Sequence, residues 1–265
     1  MKLLIIGRGR VGNALRRSLA PSEAFETTIE GRRWNASSVR AADAVVLAVS
    51  DDSIETLANA VAPYLKHGAT VLHCAGARGT GELRACQDHG AAVGVMHPLV
   101  SLPSRRSSPS FVGMTFCVHG SRRAVSTSRR IAKASGAVVV VAQTGDARYH
   151  AAAALAANGA AALAFVSVQV LEHVGFDKRA AERAIGGLLQ SVGENVQRLG
   201  VPDSLTGPIA RGDASTVARH RDALRTTNRS LLSTYDALIP TIVSCARAAG
   251  LTRSKASKIL GLTKR

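Results

Sequence analysis

The sequence is poor in aromatic side chains, which make up only 3% of its 265 residues. Proteins that bind RNA or single-stranded DNA stack the bases on aromatic rings. The scarcity of such rings argues against a binding groove of that kind, and the sequence carries no recognisable nucleic-acid-binding motif. We therefore expect no specific nucleic-acid partner.

Cysteine is also scarce. The four cysteines show no C-x-x-C pair and no metal-ligand spacing, which predicts reduced thiols, no metal site and a cytoplasmic protein. No secretory signal precedes the first predicted strand, at residue 2 or 3. The longest apolar stretch, 151–170, is mostly alanine and contains Asn158 and Gln169. We expect this stretch to form a buried central helix and not a membrane span.

Acidic residues are outnumbered, with 18 Asp and Glu against 34 Lys and Arg, so the net charge is +16. The excess is spread over the chain: residues 1–144 carry 18 basic and 9 acidic side chains, and residues 145–265 carry 16 and 9. Such a field attracts anions, including phosphorylated cofactors and carboxylate substrates. We expect a small anionic substrate; the alternative interpretation is a solvated, arginine-rich surface.

The first 143 residues alternate short apolar runs with amphipathic helical segments, which predicts a mostly parallel sheet covered on both faces. The predicted strands are Lys2–Ile6, Phe25–Ile29, Ala44–Val49, Ala69–His73, Ala91–Met96, Met114–Val118 and Ala137–Ala142. Two clear amphipathic segments follow the first and third of these strands.

Beyond residue 145 the pattern contains only helical segments. The predicted helices are Asp146–His173, Lys178–Leu199, Asp213–Arg225, Asn228–Ala249 and Arg253–Leu260. The expected architecture is a Rossmann α/β domain over residues 1–143, followed by an all-α domain over residues 144–265.

The segment "LLIIGRGRVGNAL" joins the first strand to the first helix through G-x-G-x-x-G. In dinucleotide-binding proteins these glycines permit the tight turn, the approach of a pyrophosphate and close helix packing, and the phosphates rest on the helix N-terminus. The alternative is a purely structural glycine turn. We assign the whole loop to a cofactor site: Gly7, Arg8, Gly9, Arg10, Val11 and Gly12.

The stretch after the second strand, "TTIEGRRWN", bears on which dinucleotide binds. An acidic residue at this strand end typically binds the ribose hydroxyls of NAD, whereas arginine binds the 2′-phosphate of NADP. Glu30 lies close to the acidic position, but Arg32 and Arg33 follow it. The arginine pair favours NADP, and Glu30 keeps NAD open as the less favoured alternative.

Other strand ends carry polar or small residues, in the segments "SDDS", "HCAGARG" and "HPLVSL". Because ligands of open α/β sheets bind at the carboxyl ends of the strands, these segments are expected to border the glycine loop. His97 is a candidate acid/base group, although a histidine before proline also caps turns. The further predicted cofactor contacts are Val49, Ser50, Asp51, Ala75 and Gly76.

Two segments of the helical region carry candidate catalytic side chains. "YHAAAALAANG" places His150 and Asn158 two turns plus about 80° apart on one helix, so both can border one cleft. In "LTGPIARGD", Arg211 is a candidate clamp for a substrate carboxylate, and the alternative is an Arg211–Asp213 pair that only holds the loop.

Together these motifs resemble bacterial Rossmann-like proteins that have a C-terminal helical domain of unknown function and are grouped with deazaflavin-dependent NADP oxidoreductases. The motifs that carry the resemblance are "GRGRVG", "LAVSDDSI", "HCAGARG", "VMHPLVSL", "YHAAAALAAN" and "LTGPIARGDASTV". More distantly, the layout is similar to pyrroline-carboxylate reductases, ketopantoate reductases and β-hydroxyacid dehydrogenases. The resemblance implies a Rossmann domain joined to a helical domain through which the chain forms a homodimer.

One departure limits this resemblance. β-Hydroxyacid dehydrogenases use a lysine on the first interdomain helix as proton donor, and here that region offers His150 and Asn158 but no lysine before Lys178. We expect an NADP-dependent oxidoreductase that acts on a small, carboxylate-bearing carbonyl or imine, with His97 and His150 as acid/base candidates. The alternative function is a catalytically inactive sensor of the dinucleotide.

Overall fold

The computed structural model describes residues 1–103 and 110–263. Within them lies a seven-stranded sheet in the order β2-β1-β3-β4-β5-β6-β7, in which only the β5–β6 pair is antiparallel. The mostly parallel α/β architecture predicted from the sequence is therefore confirmed. The strands are Lys2–Ile6 (β1), Glu26–Glu30 (β2), Ala44–Leu47 (β3), Thr70–His73 (β4), Ala92–Leu99 (β5), Thr115–Gly120 (β6) and Val138–Val141 (β7).

Helices connect the strands and then continue without further strands to the last described residue. Those of the sheet region are Arg10–Leu19 (α1), Ala36–Ala41 (α2), Ile54–Val61 (α3), Arg84–Asp88 (α4) and Arg122–Ala134 (α5). Those that follow are Ala147–His173 (α6), Lys178–Leu199 (α7), Pro208–Arg211 (α8), Ala214–Thr227 (α9), Arg229–Ala248 (α10) and Arg253–Leu262 (α11).

The chain divides into two compact units, Met1–Ala157 and Asn158–Arg265. The division falls inside α6, whereas the sequence predicts a domain boundary between residues 143 and 144, just before this helix. The first eleven residues of α6 therefore belong to the same unit as the sheet, and Tyr149 and His150 lie among them.

The central strands of the sheet in the first unit, β1, β3 and β4, are buried on both faces. Leu3 and Ile5 of β1 pack into one hydrophobic cluster, and Leu4 and Ile6 pack into another on the opposite face. Continuous apolar strands of this kind are what a parallel sheet with helices on both sides requires. This two-sided burial leaves the strand ends as the positions where polar side chains meet solvent.

The second unit has its own small core, built from α8, α9, α10 and α11. Ile209, Val217, Ile239 and Ile259 are each at most 4% exposed. Beside this core Arg221 of α9 donates two hydrogen bonds to the carboxylate of Asp236 on α10, at 2.7 and 2.9 Å.

The prediction that α6 is buried is wrong for the single chain. None of its 27 residues is buried, and the helix is long and apolar enough to cross a membrane by length and composition. Composition predicts that a helix avoids water, but it does not predict whether the covering surface comes from the same chain.

Candidate functional site

Two glycines of the loop between β1 and α1 are required by the fold itself. Gly7 has a φ of +127°, and a Cβ there would lie 2.2 Å from the carbonyl oxygen of Ala48. A Cβ on Gly12 would lie 1.9 Å from the carbonyl oxygen of Gly7. No side chain fits at either position, because the neighbouring atoms are backbone.

The middle glycine is different. Gly9 has a φ of −76°, and the nearest atom to an added Cβ, the oxygen of Ala48, is 3.8 Å away. Neither backbone strain nor packing within the chain therefore requires glycine at this position. Gly9 is also the N-cap of α1 and supplies no side-chain acceptor, so the first N–H groups of the helix remain available to an anion.

The side chain of Asn13 braces the loop from within α1. Its Nδ2 donates hydrogen bonds to the carbonyl oxygens of Arg8 and Gly9, at 2.7 and 3.0 Å. The motif gives no signal for this contact, because Asn13 follows its last glycine, and the sequence analysis missed it.

The loop borders a cavity of about 880 Å³ in the first unit. The structure thus brings together ten of the predicted cofactor contacts, which line the cavity: Gly7, Arg8, Gly9, Arg10, Val11, Arg32, Val49, Ser50, Asp51 and Ala75. Three predicted contacts, Gly12, Arg33 and Gly76, do not line it. A space of this size is within the usual range for small-molecule sites.

Near the end of β2, the carboxylate of Glu30 does not face the cavity. An Oε2 atom of Glu30 accepts a hydrogen bond from the backbone N–H of Asn35 at 2.6 Å, and Glu30 does not line the cavity. Arg8, Arg32 and Trp34 do. The sequence analysis assigned no role to Trp34, although it follows the arginine pair directly.

His73, at the end of β4, is committed to the loop that follows. Its Nδ1 accepts the N–H of Ala75 at 3.2 Å, so the proton is on Nε2, which donates to the oxygen of Gly79 at 2.8 Å. The ring is fully buried, and burial lowers its pKa. Both nitrogens thus stabilise the loop.

His97 lies beyond the end of β4, because β5 continues past its parallel partner and pairs there only with β6. Its ring fills the space that a side chain on Gly76 would need, where a Cβ would lie 2.7 to 2.9 Å from the imidazole atoms. Burial, followed by the nearby charge of His150, lowers the pKa of His97 to about 4. The imidazole is therefore neutral near pH 7.

The hydroxyl of Tyr149, at the start of α6, is the hydrogen-bond partner of His97. Tyr149 Oη and His97 Nδ1 are 2.7 Å apart, with the two rings in an edge arrangement. Burial raises the pKa of Tyr149, and a hydrogen bond with the Cys117 thiol raises it further. The sequence places Tyr149 beside His150 but contains no signal for its contact with β5.

Of the other three predicted catalytic residues, His150 directly follows Tyr149 on α6 and is exposed. Asn158 and Arg211 belong to the second unit and are also exposed. The oxygen of Arg211 accepts a hydrogen bond from Lys255 at 3.3 Å. Asp213 caps α9 by accepting hydrogen bonds from Ser215 and Thr216, which lower its pKa.

Residues 114–242 match the family described as "Domain of unknown function (DUF2520)". The matched region is just under half of the chain and runs from the start of β6 into α10. The resemblance stated from the sequence motifs, to Rossmann-like proteins with a C-terminal domain of unknown function, is thereby confirmed. No curated protein matches the chain.

Solved structures match almost the whole chain. A protein from Thermotoga maritima is 23% identical with a TM-score of 0.62, covering 92% of this chain and 99% of its own. Pyrroline carboxylate reductase from Plasmodium falciparum, with NADP bound, is 16% identical with a TM-score of 0.59, covering 99% and 98%. An imine reductase from Streptomyces aurantiacus is 12% identical with a TM-score of 0.64, covering 98% and 99%. At these identities the likeness shows the fold.

The depressed pKa of His97 predicts a pH-dependent stability. The unfolded chain takes up a proton near pH 6.5 and the folded protein only near pH 4, so the free energy of unfolding falls as the pH decreases between these values. We expect His97→Asn, which does not titrate, to lose less thermal stability between pH 7 and pH 5 than the wild type, by roughly 4 °C in Tm. Calorimetry at both pH values measures this, with His67→Asn, at an exposed histidine, as the control. An equal loss in wild type and His97→Asn would contradict the prediction.

Proposed function

We propose that the protein is an NADP-dependent oxidoreductase. When bound, the nicotinamide cofactor supplies or accepts a hydride at a small, carboxylate-bearing carbonyl or imine substrate. The observation that carries the proposal is the cavity beside Gly9. A side chain at this position would enter the cavity, and no other part of the chain that the structure describes fills that space. Ala75 lines the cavity and is next to Gly76, against which the His97 ring lies, so an acid/base candidate adjoins the lining.

The residues at the glycine loop fit a dinucleotide. The N-terminus of α1 offers unpaired N–H groups to a pyrophosphate, and the missing side chain of Gly9 permits its approach. Arg8 and Arg10 line the same space and add positive charge to it. A pyrroline carboxylate reductase of the same fold, solved with NADP bound, supports this assignment.

The β2 end of the cavity favours NADP over NAD. A carboxylate that binds the ribose hydroxyls of NAD has to face the cavity, and the carboxylate of Glu30 is instead bonded to Asn35. Arg32 lines the cavity, and its guanidinium would hold the 2′-phosphate of NADP. A guanidinium binds phosphate with charge-assisted hydrogen bonds and gains little from a neutral ribose.

We assign the substrate end to the histidines and to the polar residues of the helical region. His97 and His150 are the candidates for acid/base work, Asn158 for orienting the substrate or the nicotinamide, and Arg211 for binding the substrate carboxylate. Arg211 suits this role because it is exposed and because Asp213, which caps α9, bonds to Thr216 and not to Arg211.

Binding of NADPH to a Gly9→Ala variant tests the cofactor assignment. We expect Gly9→Ala to raise the Kd for NADPH at least tenfold, about 1.4 kcal/mol, because its methyl group occupies the space of the phosphates. Its Tm should match the wild type, since the methyl group meets no protein atom closer than 3.8 Å. The control is Gly81→Ala, where an added Cβ has nothing within 4 Å. Fluorescence titration and thermal melting measure the two effects.

Failure of NADPH and NADH to bind the wild type below millimolar concentration would contradict the assignment. If NADPH binds but no carbonyl, imine or deazaflavin in a panel is turned over, the sensor alternative replaces the enzyme proposal.

The preference for NADP is tested at Arg32. We expect Arg32→Ala to weaken NADPH binding roughly 10- to 100-fold and to leave NADH binding unchanged, because a charge-assisted hydrogen bond contributes about 1.5–3 kcal/mol. Arg16→Ala, at an exposed arginine of α1 that does not line the cavity, is the matched control. Equal losses for the two cofactors, or none, would contradict the assignment of Arg32 to the 2′-phosphate.

For the assembly we propose a homodimer formed through α6 and α7. Of the 49 residues in these two helices only Ala181 is buried, and large apolar side chains such as Leu155, Phe165 and Leu188 are more than 60% exposed. Exposed apolar surface on this scale marks an interaction site. α7 carries six charged residues, which suits a protein partner and not a lipid bilayer.

Light scattering after gel filtration tests the dimer. The wild type is expected at twice the 27.5 kDa chain mass, and Phe165→Glu should shift it toward the monomer by placing a charge on the exposed face of α6. Val112→Glu, at an exposed apolar residue of the first unit, is the control. A monomeric wild type, or recovery of the wild type with membranes, would contradict the proposal.

A further inference from the structure

The hydroxyl group of Tyr149 lies over two adjacent strands at the ligand-binding edge of the sheet. The antiparallel register of β5 and β6 sets His97 opposite Cys117, so their side chains share one face. Tyr149 Oη hydrogen-bonds with Nδ1 of His97 at 2.7 Å, and the Cys117 thiol is close enough to act on the pKa of the tyrosine. The position of the hydroxyl is therefore set by the protein and not by solvent.

The beginning of α6 is fixed next to the same place. The N–H of Gly145 donates to the carbonyl oxygen of Gly76 at 3.2 Å, and Gly145 has a φ of +85°. A Cβ at Gly145 would lie 2.6 Å from the nitrogen of Gly79. The loop after β4, the His97 ring and the start of α6 thus pack as one group beside Ala75, which lines the cavity.

We propose that Tyr149 is the proton donor of the reduction and that His97 is a positioning residue, which donates its Nδ1–H to the tyrosine oxygen. The proposal rests on the proposed function and adds a group that the candidate list from the sequence lacks. With Nδ1–H as the donor, the hydrogen of the Tyr149 hydroxyl is available to the substrate.

The proton and electron pairs balance in this arrangement. The reduced nicotinamide, when bound, would supply the hydride and be left oxidised. As the hydride bonds to the substrate carbon, the π electrons of the C=O or C=N bond move to the oxygen or nitrogen, which takes the Tyr149 proton. The O–H bond pair stays on the tyrosine oxygen, and the Nδ1–H of His97 stabilises the resulting charge. A proton from solvent then restores the hydroxyl, and His97 remains neutral throughout.

The surroundings favour tyrosine over histidine as the donor. Because burial holds the pKa of His97 near 4, it carries no dissociable imidazolium proton at neutral pH. The raised pKa of Tyr149 keeps its hydroxyl protonated over the same range. The charged or titratable groups that act on the pair are His150, Asp51 and His73 at His97, and Cys117 at Tyr149.

Removing the hydroxyl tests the proposal. We expect Tyr149→Phe to lower kcat at least 100-fold, within the usual range for general acids, and to change the Kd for NADPH less than twofold, because Tyr149 does not line the cavity. The matched control is Tyr235→Phe, which removes a hydroxyl that is also bonded to a histidine Nδ1, that of His220 at 3.0 Å in the second unit. Steady-state kinetics and NADPH titration are measured on all three proteins.

Two further readouts separate donation from a structural effect. The kcat of the wild type should stay level from pH 6 to pH 9, whereas an imidazolium donor at His150 would make it fall. His97→Asn, which keeps a donor near the Nδ1 position, should retain more activity than His97→Leu. Without cofactor, the ¹⁵N NMR signal of His97 Nδ1 should shift in Tyr149→Phe and not in Tyr235→Phe.

The outcomes distinguish the two proposals. Turnover by Tyr149→Phe within threefold of the wild type, a kcat that falls between pH 6 and pH 9, or an unshifted His97 signal would overturn the donor role alone. A wild type that binds NADPH but turns over no substrate would overturn the proposed function, and the donor role with it.

Discussion

The contact between the glycine turn and the end of β3 is the constraint on which the site depends. The backbone at Gly7 lies against the carbonyl of Ala48, and Gly12 lies against the backbone of Gly7, with no room for a Cβ at either glycine. This close approach fixes where α1 begins and which way its first N–H groups point. An anion site at a strand–helix junction needs this rigidity, because the N–H groups have to be in place before the ligand arrives.

Unequal strand lengths determine what stands next to that site. β4 ends at His73, whereas β5 runs on to Leu99 and is supported there by β6. The extension carries His97 beyond the edge of β4, where it contacts Gly76 and Tyr149. The antiparallel pairing with β6 supports this extension and so brings the positioning residue His97 to the hydroxyl of Tyr149.

Local sequence patterns were sufficient to predict most of the fold, because hydrophobic periodicity and the residues at the strand ends are local properties of the sequence. β1 and α7 have the predicted bounds, and the glycine loop lines the cavity as expected. Three features could not be predicted, because they depend on individual contacts that periodicity does not encode. The sequence does not show that Glu30 turns to Asn35 instead of the cavity, nor that Tyr149 reaches a histidine 52 residues earlier. Nor does the composition of α6 show that the helix is exposed in the single chain.

The length of the connection between β7 and α6 determines where Tyr149 lies. The N–H of Gly145 is hydrogen-bonded to the oxygen of Gly76, and Tyr149 follows four residues later. The number of residues between them therefore sets the direction in which the Tyr149 side chain leaves the helix. One residue inserted between them would rotate the tyrosine by about 100° and move it about 1.5 Å along the helix axis, while strand and helix stayed intact. Most surface connections tolerate insertions. In this connection, the number of residues itself determines whether the Tyr149 hydroxyl reaches His97.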